Sequence, residues 1–217
     1  MIARGALLLA MLAPCVGAQQ DSLYFPADRE ASAELAAIVT SAREAGLPID
    51  PILGKVRYGL VVGHAQPQRI VGAARAVAAR LEVARDALQP SPTAADIANG
   101  AGALEYGATK DQLKAIRLVS GDQSVSIPLG VLAQLVASGV DGKKAAQIVT
   151  DLIRRRVSSA QLVAFGTDVN ADVANGAKAN AALDVRLRGL AAVLAPPGAA
   201  GTATDPNAAA VTPKKKP

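Results

Sequence analysis

The sequence has few aromatic residues and almost no cysteine or histidine. Its 217 residues include three tyrosines, two phenylalanines, no tryptophan, one cysteine and one histidine. A single histidine excludes a metal site that takes two histidine ligands from one chain. A single cysteine excludes a framework of intramolecular disulfides. The shortage of aromatic residues argues against a typical β-sandwich or β-barrel.

Alanine dominates what is present. It accounts for 48 of the 217 residues, and hydrophobic residues together make up 51%. This share is too high for a wholly disordered chain. Because alanine and leucine are the strongest helix formers, the composition predicts an all-α protein. The formal net charge is +5, and three of the positive charges lie at the C-terminal end, so no strongly basic domain is implied.

The N-terminus has the three-part pattern of a secretory signal peptide. Arg4 precedes the apolar run 6–13, and small or short apolar residues at 16–18 fit the cleavage pocket. The pattern predicts cleavage after Ala18 and export to the periplasm or the extracellular space. The apolar run is shorter than the roughly 20 residues of a membrane span, so no transmembrane segment is expected after cleavage.

Two alternatives remain for this segment. Leu12-Ala13-Pro14-Cys15 resembles a lipobox, which would place a lipid anchor on Cys15, although proline directly before the cysteine fits that pattern poorly. The run could also be a buried first helix.

The C-terminal segment 196–217 consists largely of proline, alanine, threonine and lysine, and Val211 is its only larger aliphatic residue. No apolar face offsets the entropy of ordering it, so we expect a disordered tail that ends in Lys214, Lys215 and Lys216. The predicted organisation is therefore a signal peptide at 1–18, a helical domain at 19–195 and a tail at 196–217.

Between these ends, apolar residues recur at helical spacing. The spacing predicts about nine short helices joined by short turns, arranged as irregularly stacked helical hairpins. Pro90-Ser91-Pro92 interrupts the pattern, and a subdomain boundary could fall near 89–93. The two clearest stripes are Ile70, Ala74, Val77, Leu81, Ala84 and Leu88, and then Leu183, Leu187, Leu190 and Leu194.

Polar residues at the predicted helix starts indicate N-caps. Capping boxes are predicted where glutamine follows threonine or serine by three residues. The predicted caps are Asp50 (before Pro51), Thr109 with Gln112, Asp141, and Ser158 with Gln161.

Several segments resemble functional motifs but lack residues or spacings that those motifs require. His64 falls in a predicted turn, where a solvated ring is expected. Residues 168–172 begin like an EF-hand loop but lack the glycine and glutamate that such a loop needs at its sixth and twelfth positions. Residues 139–144 have the wrong glycine spacing for a phosphate-binding loop. Gly59 and Gly63 are predicted to allow close helix packing.

The run Arg154, Arg155 and Arg156 is predicted to end a helix, where cations complement the helix dipole. It is either a solvated face or, with Lys214, Lys215 and Lys216, a contact for an anionic surface. Nucleic acid is not expected as a partner, because export and the shortage of aromatic stacking platforms argue against it.

The sequence therefore predicts a non-enzymatic interaction or structural protein of the bacterial cell envelope. Its expected partner is an envelope protein or an anionic polymer or lipid, and no cofactor or metal is expected. The alternative is an exported enzyme whose Asp and Glu side chains meet in a buried cleft only after folding.

Overall fold

A computed structural model describes residues 28–194, and within that range the chain forms nine α-helices and no strand. The all-α prediction is confirmed for this part of the chain, whereas the predicted signal peptide and tail lie outside the described residues. The helices are α1 (Arg29–Glu44), α2 (Asp50–Val61), α3 (Pro67–Ala87), α4 (Ala94–Glu105), α5 (Lys110–Ser120), α6 (Ser126–Ala137), α7 (Gly142–Arg154), α8 (Ser159–Ala174) and α9 (Ala179–Leu194).

The helices stack in two layers. In one layer α1 contacts α3, α3 contacts α5 and α5 contacts α7, and in the other α4 contacts α6 and α6 contacts α8. Some successive helices also pack on each other, as α2 does on α3 and α8 on α9. The stack thus grows in sequence order, as in helical-repeat proteins. Helices α8 and α9 form its C-terminal end.

Five of the turns between helices share one backbone design. In each, an amide donates to the carbonyl five residues earlier, and the residue before that amide has a positive φ. This is the Schellman ending, which favours glycine because a Cβ is strained in the left-handed region. The left-handed residues are Gly46, Gly107, Gly139, Arg156 and Gly176.

The core follows the predicted stripes closely in α3 and less closely at the ends of the stack. All six stripe residues of α3 and the turn after it are buried. In α9 Leu183 is buried, but Leu187 and Leu190 are only half-buried, because no further helix of the described chain covers that end. Leu60 on α2 follows Val56 by four residues, a spacing that predicts a core position, but it is 40% exposed, so that prediction is wrong.

Helices α3 and α4 pack together across the proline-containing segment 89–93. A Cβ built on Gly100 would lie 3.1 Å from both Ala84 Cβ and Leu88 Cδ1. Apolar side chains on both sides of the segment belong to one buried cluster.

Three of the four predicted N-caps are confirmed. Thr109, Asp141 and Ser158 each accept a hydrogen bond from the amide three residues on. The assignment of Asp50 was wrong: it is the first helical residue, and Ile49 occupies the cap position without a side-chain bond.

None of the helices within residues 28–194 combines the length and the apolar character needed to cross a membrane.

Candidate functional site

A cluster of cations lies where α7 ends and α9 passes beside it. Arg154 is the last residue of α7, Arg155 is its C-cap, and Arg156 lies in the following turn. Arg155 and Arg188 of α9 line the same groove, about 260 Å³ in volume, between the two helices. We call these four residues the basic corner: Arg154, Arg155, Arg156 and Arg188.

The charges of the basic corner are only partly neutralised. Arg154 Nη1 pairs with Asp151 Oδ1 at 3.0 Å on the same helix. Within the described part of the chain, neither Arg155 nor Arg156 has a carboxylate at ion-pair distance, and both are exposed. The corner therefore presents net positive charge to solvent.

Arg156 has an unusual backbone. Its φ is 56°, in the left-handed region, at the position that glycine holds in the other four turns of this design. A side chain costs stability in that conformation, and such residues often mark functional positions. The sequence thus keeps a cation where a glycine would be easier to accommodate.

The other cations predicted for an anionic contact, Lys214, Lys215 and Lys216, lie outside the described residues. The structure places the arginine run at a helix end, as predicted.

A second surface lies at the C-terminal end of the stack, in a groove of about 570 Å³ between α8 and α9. We call it the end groove. Phe165 is buried at its base, and Val185, Gly189 and Val193 follow one another along α9. Val185 is 54% exposed and Val193 is 75% exposed, so the end groove offers apolar surface to solvent.

One side of the end groove carries an ion-pair cluster. Arg186 donates to both carboxylate oxygens of Asp172, each at 2.6 Å, and to Asp168 Oδ2 at 3.4 Å. Hydrogen bonding from Arg186 holds the pKa of Asp172 below its ordinary value, and the same bonds raise the pKa of Arg186 further. Asp172 is therefore held as a charged acceptor.

Asp168 and Asp172, from the run that begins like an EF-hand loop, lie one turn apart on α8, and only the tertiary structure adds Arg186. The arginine lies on the next helix, beyond the turn at Gly176, so no local spacing pattern connects it with Asp172. Sequence reasoning missed this cluster for that reason.

Two buried charged residues were also missed. Arg117 on α5 is 8% exposed and donates to the carbonyls of Gln123 and Pro90, each at 2.9 Å. Asp96 on α4 is 1% exposed and accepts bonds from Ser124 and from the amide of Val125. They fasten the loops after α3 and α5 to each other and to the start of α4, a structural role.

Two other residues that the sequence analysis considered, His64 and Gly59, lie at positions with a structural explanation. His64 is exposed in the turn between α2 and α3, as predicted. Gly59 packs tightly, because a Cβ there would lie 2.9 Å from Ile70 Cγ1. Among residues 28–194 there is no group of three His, Cys, Asp or Glu side chains arranged to hold a metal ion.

Comparison of the chain with protein-family models, with curated proteins and with solved structures finds no match.

Proposed function

We propose that this chain is an exported, non-enzymatic interaction protein of the bacterial cell envelope. In this proposal the basic corner contacts phosphate or carboxylate groups of an anionic envelope surface. The observation that carries the proposal is Arg156, an exposed cation held in a left-handed conformation that its four counterpart turns give to glycine.

The charge balance at the corner supports this role. Arg154 is paired with Asp151, which leaves Arg155, Arg156 and Arg188 as the cations able to meet an external anion. Guanidinium groups suit this task because their planar donors match carboxylate and phosphate oxygens. Near an anionic membrane each cation contributes about 1 kcal/mol, so three give about 3 kcal/mol.

The three C-terminal lysines would add a second, similar contribution. Lys214, Lys215 and Lys216 are adjacent, so they lie within one Debye length of each other and act together on a charged surface. Two weak contacts on one chain reinforce each other when both can reach the surface. The expected result is a weak, salt-sensitive tether.

The alternative of an exported acid–base enzyme finds less support. Among the described residues, Asp168 and Asp172 share the end groove, where Arg186 lies against both. Glu34 and Glu82 line another groove, between α1 and α3, where Arg75 pairs with Glu34. A general acid needs a pKa raised toward neutrality, whereas the pKa of Asp172 is lowered.

Co-sedimentation with lipid vesicles tests the proposal. Mature full-length protein is mixed with phosphatidylglycerol-containing vesicles and with purely zwitterionic vesicles, at low and at high salt. We expect binding only to the anionic vesicles at low salt, and strong weakening in the double variant Arg155→Gln, Arg156→Gln. A chain lacking 196–217 should bind more weakly but keep its melting temperature, because that segment has no apolar stripe.

A matched control separates a local site from overall charge. The double variant Arg57→Gln, Arg69→Gln removes two exposed arginines on α2 and α3, so its net charge equals that of the test variant. If the two double variants lose binding equally, or if neither variant loses binding, the basic corner is not the contact.

N-terminal sequencing of protein exported by its own host tests the export step, for which we expect Gln19 as the first residue. Intact Met1 would contradict export with cleavage, and a lipid on Cys15 would favour the anchored alternative.

A further inference from the structure

We infer that the end groove between α8 and α9 is a self-association surface, on which a second copy of this chain docks with its own α8–α9 end about a two-fold axis. This inference is independent of the anionic contact proposed above, because the basic corner lies on the opposite face of α9.

The first argument is the position of the groove at the end of a helical stack. Inside the stack, the faces of α6 are covered by α7 and α8, and those of α7 by α5 and α6. Within residues 28–194, no helix follows α9 to cover the α8–α9 end. Stacks of this kind need a polar outer face on their last unit if it is to remain exposed. Here Val185 and Val193 instead expose more than half of their surface, above a base formed by Phe165.

The second argument concerns the chain that follows. After α9 the sequence 195–217 contains five prolines, two glycines and one larger aliphatic residue, Val211. This composition provides no apolar stripe with which the chain could form a tenth helix over its own groove.

The third argument is the shape of the exposed stripe. Val185, Gly189 and Val193 are four residues apart and so lie on one face of α9. A Cβ built on Gly189 would meet nothing within 4 Å, so the middle of the stripe is open. Glycine between two valines allows the α9 of a second copy to approach closely, with each valine entering the groove of the other copy.

The fourth argument is charge. A two-fold interface brings a surface patch against itself, so the patch must complement its own charges. The end groove carries both signs of charge, with Arg186 beside Asp168 and Asp172. Within one chain, Arg186 is paired with Asp172 by two hydrogen bonds. Asp168 is exposed and its contact with Arg186 is long, at 3.4 Å, so its carboxylate can accept a further hydrogen bond from Arg186 of the second copy.

Sedimentation velocity of the mature full-length protein over a range of concentrations tests the inference. We expect a monomer–dimer equilibrium, and Val193→Lys should raise its Kd at least about tenfold, since it places a charge on the apolar stripe that the second copy is to cover. The matched control is Val163→Lys, which changes an exposed valine on the opposite face of α8 and should leave Kd unchanged. Melting temperatures of both variants report whether each still folds.

Disulfide trapping tests the arrangement. In mature protein that begins at Gln19, and therefore has no native cysteine, Gly189→Cys should form a covalent dimer on mild oxidation, and Val163→Cys should not. Four results would overturn the inference: a monomer at every concentration up to about 1 mM, growth into assemblies longer than a dimer, equal effects of the two lysine variants, or equal trapping of the two cysteine variants.

Discussion

Asp96 on α4 accepts a hydrogen bond of 2.8 Å from the backbone amide of Val125, 29 residues later, just before α6. The same carboxylate accepts from the hydroxyl of Ser124 at 2.8 Å and from the amide of Thr93 at 3.0 Å. Asp96 therefore belongs to the capping box of α4 and also anchors the loop that leads into α6. One side chain thus sets the relative position of two helices in the same layer.

Replacing Asp96 by alanine should destabilise the protein by about 2–4 kcal/mol. The change removes the half of the α4 capping box in which the Asp96 carboxylate accepts from the amide of Thr93, and it leaves the amide of Val125 buried without an acceptor. Urea unfolding at neutral pH measures the loss. Asp111→Ala, at an exposed first-turn position of α5, is the control and should cost under about 1 kcal/mol. Equal losses in the two variants would contradict the anchoring role.

Asp96 should also make the free energy of unfolding depend on pH in the acidic range. Its burial by itself would raise its pKa, but the hydrogen bonds from Thr93, Ser124 and Val125 outweigh burial, so the pKa is lowered in the folded protein. The unfolded chain then binds the proton more readily, and stability falls as pH drops from about 5 through the folded pKa. In Asp96→Asn this part of the stability loss at low pH should disappear. If the variant and the wild type lose the same stability between pH 7 and pH 3, the prediction is refuted.

Leu81 and Leu187 should differ in what they contribute to the core. Leu81 is fully buried in the middle of α3, so Leu81→Ala should cost about 2–5 kcal/mol. Leu187 is only half-buried on α9, so Leu187→Ala should cost about 1–2 kcal/mol. Chemical denaturation of both variants checks the order, and a larger loss at Leu187 would mean that α9 is more deeply covered than the structure shows.

Arg156→Gly should stabilise the protein while weakening its anionic contact. Glycine adopts a φ of 56° without the strain of a side chain, and we expect a gain of about 0.5–1 kcal/mol. Arg155→Gly is the control: its φ is −78°, so glycine brings no relief there and should destabilise slightly. Thermal unfolding together with vesicle binding measures both effects. A loss of stability in Arg156→Gly would mean that its side chain makes a contact that outweighs the strain.

The capping boxes of α5 and α8 should each contribute measurably to the stability of the protein. Thr109→Ala and Ser158→Ala remove hydroxyls that accept from the amides of Gln112 and Gln161, each at 3.3 Å, and should cost about 0.5–2 kcal/mol. Ser159→Ala, one residue inside α8, is a matched control that should stay within about 0.5 kcal/mol of wild type. Denaturation midpoints compare the three, and a neutral Ser158→Ala would show that water replaces the cap.

The helices were predictable because their signals are local. The stripe of α3 and the caps at Thr109, Asp141 and Ser158 are patterns within a few residues, and each appears in the structure where its spacing placed it. The failure at Asp50 is also local in origin. Asp50 before Pro51 has the composition of a cap, but helix α2 begins one residue earlier than that pattern implied.

The all-α class, the approximate number of helices between residues 28 and 194 and the position of the arginine run at a helix end were predictable from the sequence. The two layers of helices, the pairing of Arg186 with Asp172 across a turn, and the contacts by which Asp96 and Arg117 fasten distant loops are visible only in the folded chain. The same holds for the half-buried state of Leu187 and for the exposed end groove. Helix formation depends on neighbours three or four residues apart, whereas these contacts depend on which helix faces lie against each other, and that follows only from packing of the whole chain.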